Sequence, residues 1–259
     1  MKFKWFLWLI PVYVVAFLAM APASLISWGV SYFGGINAPK LVQMEGSLWQ
    51  GRIGTLQVVT RFGTQLELQQ IDYQINPWAL LIGRLDMQLQ VAELPANLID
   101  GTVAIDARRG GIDGLSGVLR GDVGRAIVEL NLPVPVPMQG QFRLDLAHYA
   151  YNDFSVRHWC DALQGTLQVS AAQVQLNNVW SALGDYQTQL ACNERNGIGF
   201  VIDQPNIMGL ALTGQLEGRP PQVSFAGHLQ PTLEAPRSIT ELLPFMGEPD
   251  AQGRYHFRW

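Results

Sequence analysis

Residues 5–36 contain no Asp, Glu, Lys, Arg or His, and the first charge beyond them is Lys40. No other feature limits the chain so strongly, because a helix of a soluble domain rarely needs so long an apolar run. Residues 5–26 alone would make roughly 33 Å of α-helix at about 1.5 Å per residue, against a hydrocarbon core of about 30 Å. Two readings follow, a cleaved export signal or an uncleaved anchor, and both export what lies beyond. Ala19-Met20-Ala21 has the small-x-small pattern of a signal-peptidase site. Against cleavage, Pro22 would follow the scissile bond, and the apolar run continues through Leu25, Ile26 and Trp28. The expectation is an uncleaved transmembrane anchor within residues 1–36, tolerating a kink at Pro11. Lys2 and Lys4 precede it and only Lys40 follows before Arg52, a bias that predicts a cytoplasmic amino terminus with residues 37–259 outside. Trp5, Trp8, Trp28, Tyr32 and Phe33 stand near its two ends, where amphipathic rings favour the headgroup level.

What remains is long enough for one large or two small domains. The formal net charge is −4, from 17 basic and 21 acidic side chains, and no lysine follows Lys40. Such scattered cations make no nucleic-acid footprint. Cys160 and Cys192 both fall on the exported side, where a disulfide is the expectation. Closing a loop of that length stabilises by about 4 kcal/mol in the chain-entropy model. The rival reading is a nucleophilic Cys160 beside His158.

From Leu41 onward apolar positions recur with a period of two, the signature of half-buried strands. Strands are predicted over 46–52, 54–60, 65–75, 85–91, 101–106, 114–119, 126–130, 140–146, 165–169, 186–190, 199–203, 210–217, 222–229 and 254–259, with a register change at Gln69-Gln70. Asn76 as cap, Pro77 in the first helical position and Gly83 as terminator predict a short helix. Its Trp78, Leu80, Leu81 and Ile82 are expected to cover one end of the sheet core, with contact to a membrane surface as the alternative. Residues 178–184 read as a second short helical cap. Ser238 and Glu241 fit a capping box for a helix reaching Phe245. Pro133, Pro135 and Pro137 make residues 132–137 a stiff connector, an edge or a break near 131–139. The predicted fold is mainly β: a single N-terminal transmembrane helix, then a long twisted, curled antiparallel β-sheet domain over 37–259 with short capping helices.

Glu45-Gly46-Ser47-Leu48-Trp49-Gln50-Gly51-Arg52 and Asn76-Pro77-Trp78-Ala79-Leu80-Leu81-Ile82-Gly83-Arg84-Leu85, in this order after the anchor, resemble protein N of the bacterial type II secretion system. The resemblance spans essentially the whole chain, with its best motifs in the first third. It implies an inner-membrane protein with a periplasmic domain, an accessory part in export across the outer membrane, and no catalytic residues to carry over.

The residues themselves supply no chemistry that competes with this. His148, His158, His228 and His256 lack metal-site spacing. Gly114-Leu115-Ser116-Gly117-Val118 misses the nucleophile elbow at its fifth position. No dinucleotide fingerprint or P-loop is present, so no cofactor is expected. The expected function is a non-enzymatic secretion component acting in assembly or stabilisation, with Trp49, Arg52 and Trp78 as candidate contacts to other inner-membrane secretion-system proteins. A lipid-binding or lipid-transfer module with an apolar groove in the sheet is the alternative.

Overall fold

The computed structural model describes residues 13, 16–17, 19–33, 38–59, 64–130, 136–155, 158–218 and 222–259. Among the described residues thirteen antiparallel strands form one sheet in the order of the chain, so the fold is mainly β with a few short helices. Two compact units divide the chain, residues 1–100 and 101–259. Residues 131–135 of the Pro-rich segment lie outside the described residues.

The first unit holds α1 (Ser24–Phe33), β1 (Lys40–Gly46), β2 (Gln50–Val59), β3 (Gln65–Ile75), α2 (Pro77–Leu81) and β4 (Arg84–Val91). The continuous helix expected over 5–26 is interrupted. Pro22 bridges to Ser47, the Leu48 N–H donates to the Ala21 carbonyl at 2.7 Å, and the Ala23 N–H donates to that of Gly46 at 3.1 Å. Ala21 and Ala23 are buried there. The reason is Pro22, which has no N–H to give a helix and pushes the residue before it out of the α region. α1 restarts after this extended piece. No helix among the described residues is long and apolar enough to cross a membrane, and residues 1–12 of the proposed anchor lie outside them.

Residues 46–52 are a hairpin rather than a strand: β1 ends at Gly46, Ser47-Leu48-Trp49 turn, and β2 begins at Gln50. The register change at Gln69-Gln70 is present within β3. Gln70 has a positive φ of 53°, and the buried side chains switch from Leu68 to Ile71, Tyr73 and Ile75. Gln43 in β1, at φ 55°, and Gly54 in β2 stand at the same level, between the pairs Val42↔Thr55 and Met44↔Ile53. A Cβ on Gly54 would collide with the Gln43 side chain, so glycine is required opposite Gln43. The switch keeps both halves of each strand on one core of Ala23, Ile53, Leu68, Ile71, Tyr73, Ile75 and Val91, with Leu56, Leu66, Leu85, Met87 and Leu89 packed against it.

The second unit holds β5 (Ile99–Arg108) from Gly101 onward, then β6 (Gly111–Asp122), α3 (Val123–Glu129), β7 (Met138–Tyr151), β8 (Ala162–Leu176), β9 (Val179–Cys192), β10 (Ile198–Ile202), β11 (Ala211–Glu217) and β12 (Gln222–Leu229). α4 (Arg237–Thr240), a 3-10 turn (Leu243–Met246) and β13 (Tyr255–Arg258) complete it. Two expectations fail here. Residues 126–130 belong to α3, not to a strand: Asp122 caps the helix by accepting the Arg125 N–H at 2.8 Å, and Arg125 pairs with Glu129 one turn on. Residues 178–184 are not a helical cap. Asn177 and Asn178, with φ of 50° and 62°, turn the chain between Leu176 and Val179, a two-residue hairpin that Asn tolerates because both positions need positive φ. α4 forms but stops at Thr240, short of Phe245, and without the capping box: Pro236 is its N-cap, and Ser238, inside the helix, shares a hydrogen bond with Ser181 Oγ, 2.7 Å away in β9.

Because Ile71 is about 1% exposed in the middle of the first unit's core, Ile71→Ala should destabilise by about 2–5 kcal/mol through lost burial and a residual cavity. Denaturant unfolding followed by Trp fluorescence measures this. An unchanged midpoint would mean that the apolar face of the first unit is not a packed core.

Candidate functional site

The three candidate contact residues occupy different environments. Trp49 sits in the β1–β2 turn, half-buried against the core. Its carbonyl accepts the Ile75 N–H at 2.7 Å. The Tyr73 hydroxyl donates to the Ser47 carbonyl at 2.5 Å, and burial pushes that phenol's pKa up. A Cβ on Gly51 would strike the Glu45 carbonyl and the Tyr73 hydroxyl, so the Trp-Gln-Gly stretch is first a tightly packed hairpin turn. Arg52 lies on the solvent face and pairs with the Asp72 carboxylate at 2.7 Å. Such exposed pairs contribute little to stability.

Trp78 departs from its expected packing. α2 forms as the sequence predicts, with the Asn76 side chain accepting the Trp78 N–H and Pro77 in the first turn. Its apolar side chains do not cover the core: Trp78, Leu81 and Ile82 are each more than 70% exposed. The helix is five residues long, too short to turn a broad face inward, and Asn76 fixes it to β4 through an N–H bond to the Asp86 carbonyl at 2.9 Å. An uncharged aromatic and aliphatic knob thus projects from the first unit.

In the second unit Cys160 and Cys192 form a disulfide, with Cα atoms 6.1 Å apart. Cys160 is fully buried, which removes it as a nucleophile. His158 stacks on Tyr151 and stands 3.1 Å from the Asp161 carboxylate. His228 and His256 lie close together, their ring centres 5.7 Å apart, and His256 Nε2 is 2.9 Å from Asp250. The Arg254 backbone N–H, then the His256 ring, hold the Asp250 carboxyl well below the usual range. Among the described residues no three His, Cys, Asp or Glu side chains gather as a metal set.

The sequence offered an apolar groove in the sheet only as an alternative and did not locate one; a pocket lies on β8 and β9. Gly140 in β7, Ala171 in β8 and Gly184 in β9 all have positive φ, and the ladders shift register at these points. The Asp185 carboxylate accepts the Ala171 N–H at 2.8 Å and fixes the bulge. Val169 before it, and Ala172, Val174 and Leu176 after it, then share one face, joined by Leu183, Tyr186 and Thr188 of β9. That face bounds a pocket of about 510 Å³, with Met208, Leu229, Ile239 and Leu242 in its other walls. The lining contains no charged side chain, and its polar members are Tyr186 and Thr188. Burial raises the Tyr186 pKa to about 12, so the phenol stays neutral. The phase slip between Val169 and Val174 is visible in the sequence once the strand is known to continue through it.

These features define a β-meander protein whose distinctive surfaces are an apolar knob and an uncharged pocket. Residues 38–258 match the family of type II secretion system protein N, and the chain belongs to that family. It is 29% identical over 225 residues to the type II secretion system protein N of Aeromonas hydrophila, covering 85% of this chain and 84% of the relative. It is 25% identical over 231 residues to the protein of that name from Vibrio cholerae, covering 84% and 82%. No solved structure matches the chain.

The disulfide should be present in protein made in its normal compartment. Intact mass before and after reduction and alkylation reads it directly. Two thiols alkylated without reduction would remove it and reopen the Cys160 and His158 alternative.

Proposed function

We propose that the protein is a non-enzymatic inner-membrane accessory of the type II secretion machinery, acting in assembly or stabilisation through contacts with other inner-membrane components. The amino-terminal apolar stretch anchors it once, and residues 37–259 lie in the periplasm. Family membership supports the secretion role. The observation that carries the mode of action is the exposure of Trp78, Leu81 and Ile82 on α2. A capped helix that leaves its largest apolar side chains in water, with none of its residues buried, has spent little on the core. Solvent-exposed aromatic and aliphatic clusters mark interaction sites, and Trp is prominent among residues that dominate binding energy. Trp49 supports the same surface indirectly: its carbonyl accepts the N–H of Ile75, the last residue of β3 before α2.

Two experiments test this reading. Trp78→Ser with Leu81→Ser should leave unfolding unchanged, because neither side chain is buried, while secretion in cells falls and crosslinks from a photo-reactive amino acid at position 82 to other membrane components disappear. Normal secretion by the double variant, together with no crosslink from position 82 when Trp78 and Leu81 are retained, would remove α2 as the contact. For topology, full-length protein should resist carbonate extraction, and a carboxyl-terminal reporter should be active only outside the cytoplasm. A mature chain beginning at Pro22 would overturn the anchor.

A further inference from the structure

We infer that the pocket of the second unit is a binding site for one hydrocarbon chain, the acyl chain of a membrane lipid. The inference does not rest on the role of α2. The pocket opens to solvent, and its uncharged space of about 510 Å³ is of ligand size, within the roughly 300–1,000 Å³ of small-molecule sites. The first unit handles the same kind of strand face differently, closing it on a contiguous core.

The wall chemistry selects the occupant. A polypeptide would bring backbone N–H and C=O groups that need partners when buried, and the lining offers only the Thr188 hydroxyl and the Tyr186 phenol. A hydrocarbon chain makes no such demand. Met138 and Met208 among the lining residues are unbranched and adapt to a flexible occupant.

A second observation points to the source. One wall is the segment of α4 and Leu242, fastened to β9 by the hydrogen bond between Ser181 and Ser238. The chain around that wall exposes Leu233 completely and Phe245 at 86%. Leu233 and Phe245, set among the exposed Glu234, Arg237 and Glu241, can insert into a lipid surface beside the pocket and let a chain pass inward.

The test uses full-length protein in detergent micelles with two probes: a phosphatidylethanolamine with a diazirine midway along one acyl chain, and a long-chain fatty acid with the same group. Adducts on unsubstituted protein should map to peptides of β8, β9 and α4. Competition by unlabelled phospholipid or by unlabelled fatty acid separates the two sources of the chain. Leu183→Gln and Ile239→Gln place an unpaired amide in the wall and should weaken labelling about tenfold, with thermal unfolding confirming that the variants remain folded. Adducts that map elsewhere, or equal labelling of folded variants, would overturn the inference. If a variant misfolds, the map on unsubstituted protein decides alone. Benzoylphenylalanine at position 183 that captures a polypeptide in cells, with no lipid adduct in the pocket, would also overturn it in favour of a protein segment.

Discussion

The architecture depends on residues that break the alternation of long strands at matching levels. Side chains of a strand alternate strictly, so a slip of one residue moves every later side chain to the other face. Neighbouring strands must slip together or lose both their ladder and their core. Gln43, Gly54 and Gln70 do so in the first unit, and Gly140, Ala171 and Gly184 in the second. Each row accepts unfavourable left-handed backbone at a few positions. In exchange, apolar residues of both phases reach the same side.

The two units use this device to different ends. In the first, the gathered side chains close on one another, with Ile71 at the centre and Ala23, from the segment stitched to the hairpin, completing the layer. In the second, the same gathering lines a pocket, because the opposing walls come from α4 and the loop before β11 and do not fill the space between. The disulfide lies at the other end of β9 from the bulge. There the Trp159 N–H donates to the Asn196 carbonyl at 2.9 Å and the Trp159 indole donates to that of Gly218 at 3.0 Å. That end of the strands is held by covalent and hydrogen bonds, independently of the pocket.

Local signals held where their own residues decided the structure and misled where a residue outside the pattern did. Asn76, Pro77 and Gly83 specify α2 through their own backbone preferences, and α2 forms. Residues 126–130 alternate like a strand yet join α3, because the deciding group is the Asp122 carboxylate upstream of the pattern. Residues 178–184 resembled a capped turn, but Asn177 and Asn178 use their tolerance of positive φ to make a hairpin. Ser238 had the spacing of a capping box, and a partner 57 residues away took its hydroxyl instead.

Sequence alone determined the class of the fold, the disulfide and the family resemblance. Period-two patterning, two cysteines in an exported segment and the ordered Trp-Gln-Gly and Pro-Trp stretches are properties of the chain itself. The sequence did not mark the break at Pro22, where a continuous helix was expected, because that extended piece is held by Gly46 and Leu48 of the hairpin, far along the chain. Tertiary structure alone decided that α2 points its apolar residues to solvent, that Trp49 is spent on a packed hairpin, and that one apolar sheet face closes while another leaves a pocket. Periodicity says that a face is apolar. What covers that face depends on segments distant in sequence, whose approach no local pattern encodes.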